Sequence, residues 1–483
     1  MDLDEEERIS PKTKLPELFK LVDKNQKKFI EILKEAVSIA SISNCVAHRE
    51  DVIKMLKFCT DELESLGAVV DVVDGNDESS KHLPPVLFAN LFVKEEHKTI
   101  CVYGNIDVPS PDKTENNEKH SPFALTEKGG RLYGCGISDN KAPLLCWLNA
   151  LKLYKSSKME IPVNVKFVIE ATSKMHSASL KNAMRNKGEF FGNVEFICLT
   201  VDKKVEGPCL KYAYRGLCGF SLSVSCGEKR VHSGTYGGAF NQPLVDAVNV
   251  VGSLLDKRGK ILVPQFMKDV REMTSEDEKR CEMELCTFAT LKHQAGVTLS
   301  HKEIPSRVMM HKTRLPSLTV NGFHLRTVGA DKDDCASIPN KIEAIFSVRL
   351  VPNQTVERTY QQFKNYIDNK WQQFQIANKH KLEMTIGFNP WLEDPESEHY
   401  KAAAAAIQTV YNRAPKYVSE GSTLPVVSIF GTFCPASSII VIPISGYDDG
   451  NHSSADSISV SDYCQGIKVI IAYMCEIYEL TFK

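Results

Sequence analysis

Apolar residues recur at helical spacing near the start of the chain. Phe29, Leu33, Val37 and Ala40 form one such series, and Val52, Met55, Leu56, Cys59 and Leu63 form another. Positions three and four apart share one side of a 3.6-residue turn, so both series predict amphipathic helices. From residue 99 onward the pattern changes to short β-branched runs over 99–102, 163–169 and 194–201, with a helix-like segment over 143–154 between the first two. Strand-length runs alternating with helices predict an α/β sheet with crossover connections. In such sheets reactive groups gather beyond the strand ends. Asn105, Asp107, Ser173, Lys174 and Asp202 all stand within a few residues of a predicted strand end.

A second region begins near Lys211. Residues 220–225 alternate like a half-buried strand and lead into His232-Ser233-Gly234-Thr235-Tyr236-Gly237-Gly238. A strand over 345–350 and a long amphipathic helix from Thr355 to about Ile376 close this region, which has the α+β character of an insertion. Beyond about Phe388, a helix over 397–411, a strand over 439–444 and a final helix over 462–478 complete the first domain. The expected organisation is an α/β domain over 1–210 and 389–483, with an inserted α+β domain over 211–388. The longest uncharged stretch, 424–447, contains Pro425, Pro435 and Pro443, so it reads as strands and turns and not as a membrane span. No internal repeat is visible, and the alanine run 402–406 is strong helix former.

Composition narrows the partners. The chain has 483 residues, 42% of them hydrophobic and 25% charged, with a net charge of -2, and acidic and basic residues alternate throughout. That balance argues against a nucleic-acid surface, which needs clustered cations. The acidic start, Met1-Asp2-Leu3-Asp4-Glu5-Glu6-Glu7, lacks the basic opening and apolar run of a secretory signal. Fifteen cysteines, an odd number without a Cys-x-x-Cys pair, fit reduced thiols in a cytoplasmic protein, which makes the sequons at Asn353 and Asn451 chance matches.

Four motifs carry the chemistry: Tyr103-Gly104-Asn105-Ile106-Asp107, Gly134-Cys135-Gly136-Ile137-Ser138-Asp139, the segment 170–180, and Asp449-Gly450-Asn451-His452. With Leu83-Pro84-Pro85-Val86-Leu87, Asp256-Lys257-Arg258-Gly259 and Arg349-Leu350-Val351-Pro352, they make the chain resemble the dinuclear zinc dipeptidases of the cytosolic non-specific dipeptidase and carnosine dipeptidase type, from about Leu21 to Leu480. The resemblance implies a catalytic-type α/β domain interrupted by a lid that dimerises, and two metal ions sharing a bridging carboxylate. It places the bridging carboxylate at Asp139, a histidine ligand at His452, and the aspartate that orients the other histidine ligand at Asp107. That other histidine is replaced by Asn105. The general base falls on Ser173, the second metal's glutamate on Lys174, and a further carboxylate ligand on Val201, with Asp202 next to it.

These replacements are chemically awkward. An amide oxygen is a poor zinc ligand beside an imidazole nitrogen. A serine hydroxyl takes no proton from water near neutral pH without another base, and an ammonium has no lone pair to give. Repulsion between a buried ammonium and a metal ion is on the order of several kcal/mol at contact, even at an effective dielectric of ~20. The expectation is that two metals do not bind, that the Lys174 ammonium takes the second metal's place and pairs with Asp139, and that Asp107 hydrogen-bonds Asn105 or backbone. A plainer reading keeps Asp139 and His452 for folding alone.

The lid is better kept: the His232–Gly238 motif is intact, while the loop Glu420-Gly421-Ser422-Thr423 has Ser422 and Thr423 where the resemblance implies Gly and Ser. The resemblance makes His232 a residue donated across the dimer to polarise a scissile carbonyl, Arg349 the partner of a substrate carboxylate, and Glu420-Gly421-Ser422-Thr423 the substrate loop, with Glu420 and Thr423 as candidate contacts. The leading expectation is a catalytically inactive cytoplasmic homologue with no cofactor. It acts as a homodimer or as a heterodimer with an active homologue, or by holding a dipeptide ligand, without nucleic acid or membrane. The alternative is an active metal-dependent dipeptidase or carboxypeptidase-type hydrolase, using zinc or manganese on Asp139, His452 and a displaced Asp202 or Asp107.

Overall fold

A computed structural model describes residues 10–76, 82–110, 121–173, 176–205, 207–283, 291, 296, 298–300, 304–325, 336–446 and 456–482. The chain divides into two compact units. One comprises Met1–Tyr212, Glu393–Val418 and Pro425–Lys483, and the other Ala213–Leu392 and Ser419–Leu424.

The first unit is built on a mixed sheet. Its strands run in the order Val69–Val73, Val86–Leu91, Asn164–Glu170, Thr99–Asn105, Phe196–Leu199, Ser438–Val441 and Cys209–Tyr214. The last of these is the strand in which the chain passes into the second unit. Thr99–Asn105 is parallel to both its neighbours, and all its residues are buried. Sheets covered on both faces need apolar residues at every position, which is why these strands read as continuous apolar runs. Helix Ala142–Ser156 makes the crossover and is buried along almost its whole length. Trp147 meets Tyr473 of helix Val460–Leu480 edge to face, with ring centroids 6.2 Å apart.

Helices Leu15–Ser38 and Arg49–Leu66 carry the two amphipathic series read from the sequence. Ala40 lies beyond the end of the first, which stops at Ser38. The stretch 424–447 is different from its reading as strands and turns. Pro425–Phe433 is a helix that buries Val426, Val427, Ile429 and Phe430, and only Ser438–Val441 is a strand. Proline is tolerated in a helix's first turn, where its missing N–H has no intrahelical partner to lose, so Pro425 opens this helix and does not break it. Among the described residues no helix is long and apolar enough to cross a membrane.

The second unit contains a four-stranded antiparallel sheet in the order Ser317–Leu325, Lys341–Leu350, Gly216–Ser225 and Lys379–Phe388. Helices Pro243–Gly252 and Val356–Gln373 bury their apolar faces in the same core. Phe220 stacks on Phe346 and Phe363 at 5.0 and 5.3 Å. Strand Lys341–Leu350 alternates strictly: Ile342, Ala344, Phe346, Val348 and Leu350 are buried, so Arg349 belongs to the opposite face.

His399 is one of the buried polar groups of the first unit. Its Nδ1 lies 2.9 Å from the Ser438 hydroxyl and its Nε2 2.6 Å from the Tyr473 hydroxyl, and burial pushes its pKa down from 6.5 to about 3. The unfolded imidazole takes up a proton below about 6.5 while the folded one stays neutral, so its contribution is complete above that value and is lost as pH falls toward 3. His399→Phe should cost about 1–3 kcal/mol at neutral pH by stranding both hydroxyls. In urea unfolding, the gap to the wild type should narrow on acidification below about pH 6.

Candidate functional site

The two central parallel strands end in register, with Asn105 opposite Glu170. The main-chain N–H of Ile106 donates to the Glu170 carbonyl at 2.9 Å, and this turns the chain so that Asp107 is fully buried. Ser173, half-buried beyond the neighbouring strand, donates its hydroxyl to Asp107 Oδ1, and Ser43 donates to Asp107 Oδ2 at 3.0 Å. The Asn105 amide Nδ2 donates to Ser173 Oγ at 2.9 Å. The result is a chain of side chains from Asn105 through Ser173 to Asp107. Ser173 thus bridges Asn105 and Asp107, where the sequence suggested that Asp107 bonds Asn105 directly or the backbone. Ser43 was not anticipated at all, because it comes from a loop some sixty residues away.

Beneath this chain, Glu170 is wholly enclosed. It accepts hydroxyls from Tyr103 and Ser177 at 2.6 Å each and from Thr172 at 2.9 Å. Burial raises its pKa to about 7 against the opposing pull of those hydroxyls. Asp139 sits in a widened helical turn, Ile137–Lys141, that leads into helix Ala142–Ser156. The Asp456 carboxylate accepts the N–H groups of Ile137 and Ser138 at 3.1 and 3.3 Å, and Lys141 donates to the Ile39 carbonyl at 2.7 Å. Asn140 Nδ2 donates to the Asp107 carbonyl at 2.7 Å, which ties the Asp139 turn to the Asp107 segment.

Val201 is buried, 6% exposed, and offers no ligand atom. Asp202, which the alternative reading proposed as a displaced ligand, lies past the end of strand Phe196–Leu199 with a left-handed φ of 71°. Its Oδ2 accepts from the buried Lys211 ammonium at 2.7 Å. An aspartate engaged by a buried lysine cannot be withdrawn cheaply, because the lysine would be left uncompensated. Lys174 and His452 lie outside the described residues, and with them the proposed pairing of Lys174 with Asp139.

The donor set can be compared with the zinc pair that the resemblance implies. Asn105 directs its N–H into the site, and its Oδ1 is buried with no hydrogen-bond partner among the described residues. Both Asp107 oxygens accept hydroxyls, Val201 is apolar, and no three His, Cys, Asp or Glu residues converge among the described residues. Caging a dinuclear zinc centre takes several carboxylates and imidazoles. The described residues do not fit it.

In the second unit, His232 is exposed on Val231–His232, a two-residue strand paired with Ser337–Ile338. Its Nδ1 accepts the N–H of Gly234 at 3.0 Å, so the neutral ring carries its proton on Nε2. Arg349 donates from Nη1 to the Thr423 hydroxyl at 2.6 Å, and burial lowers the guanidinium's pKa. Glu420 ends the strand Lys416–Glu420 and is half-buried. Arg349, on strand Lys341–Leu350, and Thr423, in the 419–424 segment, are thus brought together by this hydrogen bond.

Residues 101–476 match the sequence pattern of peptidase family M20/M25/M40. The chain belongs to this family. It is 32% identical over 478 residues to the Beta-Ala-His dipeptidase of Mus musculus, covering 96% of this chain and 95% of that one. Against the Cys-Gly metallodipeptidase of Schizosaccharomyces pombe the identity is 29% over 477 residues, with 96% and 99% covered. The crystal structure of human carnosine dipeptidase 1 superposes with a TM-score of 0.81 at 30% identity over 96% of this chain and 99% of that one. The M20 fold thus accommodates a strand end where hydroxyl and amide side chains surround Asp107.

Removing the middle of the chain tests that arrangement. Ser173→Ala leaves an oxygen of Asp107 and the amide of Asn105 each without this partner, and should lower stability by about 1–3 kcal/mol in urea unfolding.

Proposed function

We propose that this member of the M20 family binds the carboxyl end of a peptide through Arg349 and does not carry out two-metal hydrolysis. The observation behind this reading is the Asn105–Ser173–Asp107 chain, in which the residue at the base position donates its proton to a carboxylate and the residue at a ligand position presents an N–H. A serine bound in that way is not placed to take a proton from water. Arg349 supports the binding half: it lies on the face of its strand away from the core, and among the described residues no carboxylate pairs with it. A planar guanidinium suits a carboxylate in two-point contact.

Association belongs to the same proposal. His232, exposed in an intact motif with its Nε2 proton available, suits a role across an interface, in a homodimer or in a heterodimer with an active relative. So does a cytoplasmic setting, which rests on the odd number of cysteines without a Cys-x-x-Cys pair.

The names of the relatives favour a second reading, an active dipeptidase with a reduced metal site. The buried acceptor Asn105 Oδ1 favours it too, since an amide oxygen suits a hard ion such as manganese better than zinc.

Elemental analysis paired with a dipeptide hydrolysis assay in zinc and in manganese separates the two. Binding without hydrolysis predicts fewer than two metal ions per chain and no product. Product formation abolished by a chelator would establish the second reading. For the binding half, a dipeptide with a free carboxyl end should raise the melting temperature while its C-terminal amide does not, and Arg349→Gln should weaken binding by about tenfold or more. Native mass spectrometry of this chain mixed with an active relative should show a mixed dimer; its absence would remove the heterodimer.

A further inference from the structure

Arg349 does not stand alone in the second unit. Arg215, near the start of the strand pair that carries Arg349, is 9% exposed, and none of the motifs marks it. Its Nε donates to the Gly421 carbonyl at 2.7 Å and its main-chain N–H to the Ser422 carbonyl at 3.1 Å, so one residue holds two consecutive residues of the 419–424 loop. Its Nη1 reaches the Leu315 carbonyl at 3.0 Å and the Ser317 hydroxyl at 3.1 Å. Ser317 is the register partner of Arg349 across the sheet. The two guanidiniums are therefore neighbours, and among the described residues neither has a carboxylate partner. Burial, and after it the charge of Arg349, lowers the Arg215 pKa to about 10.

Thr423 closes the circuit. Its hydroxyl donates to the Arg215 carbonyl at 2.6 Å and accepts from Arg349 Nη1 at 2.6 Å. A hydroxyl has one proton, and this one is committed to the backbone. Thr423 can orient Arg349 but has no proton left for a ligand.

We infer that Arg215 and Thr423 are positioning residues: Arg215 seats the 419–424 loop, the loop fixes Thr423, and Thr423 aims Arg349 at the anionic end of a ligand. This rests on the peptide-end reading for the identity of the anion, though not for the aiming itself. A guanidinium held in one direction loses less freedom on meeting a carboxylate than a loose one does, and the excess positive charge of the pair makes an uncharged peptide end a poor substitute. Thr423 thereby moves from a ligand contact, as its motif suggests, to the support of one.

Two measurements on the full chain test this. In the first, calorimetry with a dipeptide, Thr423→Val should weaken binding about tenfold, the loss of one hydrogen bond to a charged group, while Thr423→Ser, which keeps the hydroxyl, should bind like the wild type. In the second, phenylglyoxal labelling read by peptide mass spectrometry, Arg349 should be modified several-fold faster in Thr423→Val and in Arg215→Lys, with Thr423→Ser again at the wild-type rate. Thr423→Val stands for the proposal if Arg215→Lys fails to fold. Unchanged labelling of Arg349 in a folded Thr423→Val protein overturns the inference, and so does unchanged dipeptide affinity. If the wild type binds no dipeptide yet the labelling shifts, the peptide-end reading falls and the positioning roles stand.

Discussion

A carboxylate buried at the end of a parallel strand has to be satisfied by something, and the way Asp107 is satisfied governs everything around it. Ser173 and Ser43 supply hydroxyl protons, and Asn105 supplies an N–H to Ser173. Each of these groups is a donor facing inward. A metal centre needs the reverse, several lone pairs converging on one point. Among the described residues, the side chains that meet at this strand end do so as hydrogen-bond donors around one carboxylate. The neighbouring groups are consistent with that polarity. Glu170 is held by three hydroxyls, and Asp202 is held by Lys211.

The second unit solves the opposite problem. Two guanidiniums lie together with no carboxylate partner among the described residues; Arg215 donates to the Gly421 and Leu315 carbonyls and the Ser317 hydroxyl, and Arg349 donates from Nη1 to the Thr423 hydroxyl. Neutral acceptors orient a cation without cancelling its charge. Such a site keeps its attraction for an anion, which a salt bridge would have spent. The strict alternation of strand Lys341–Leu350 makes this possible, because the face that carries Arg349 is relieved of core packing.

Membership of the M20 family and possession of its chemistry are separate properties, because a fold is maintained by its core while a reaction depends on a handful of side chains at strand ends. Helix Ala142–Ser156 and the buried strand Thr99–Asn105 preserve the scaffold that carries Asp107 and Asp139. Asn105 and Ser173 are small polar residues that this scaffold holds within hydrogen-bond distance of each other.

Periodicity in the chain was sufficient to locate the amphipathic helices, the β-branched strands and the α/β character, since burial on one face or on both leaves a direct imprint on the order of apolar residues. The family resemblance singled out Asn105, Asp107, Ser173, Asp139, Arg349 and Thr423; the structure joins Asn105, Ser173 and Asp107 by hydrogen bonds, and Arg349 with Thr423. The helix Pro425–Phe433 is not legible in this way, because whether a proline breaks or opens a helix depends on where the helix begins. Ser43, Arg215 and the pairing of Asp202 with Lys211 came only from the tertiary structure. Each joins residues from different strands or loops through a side-chain hydrogen bond, and such contacts leave no periodic trace along the chain because their partners are set by where the backbone returns in space.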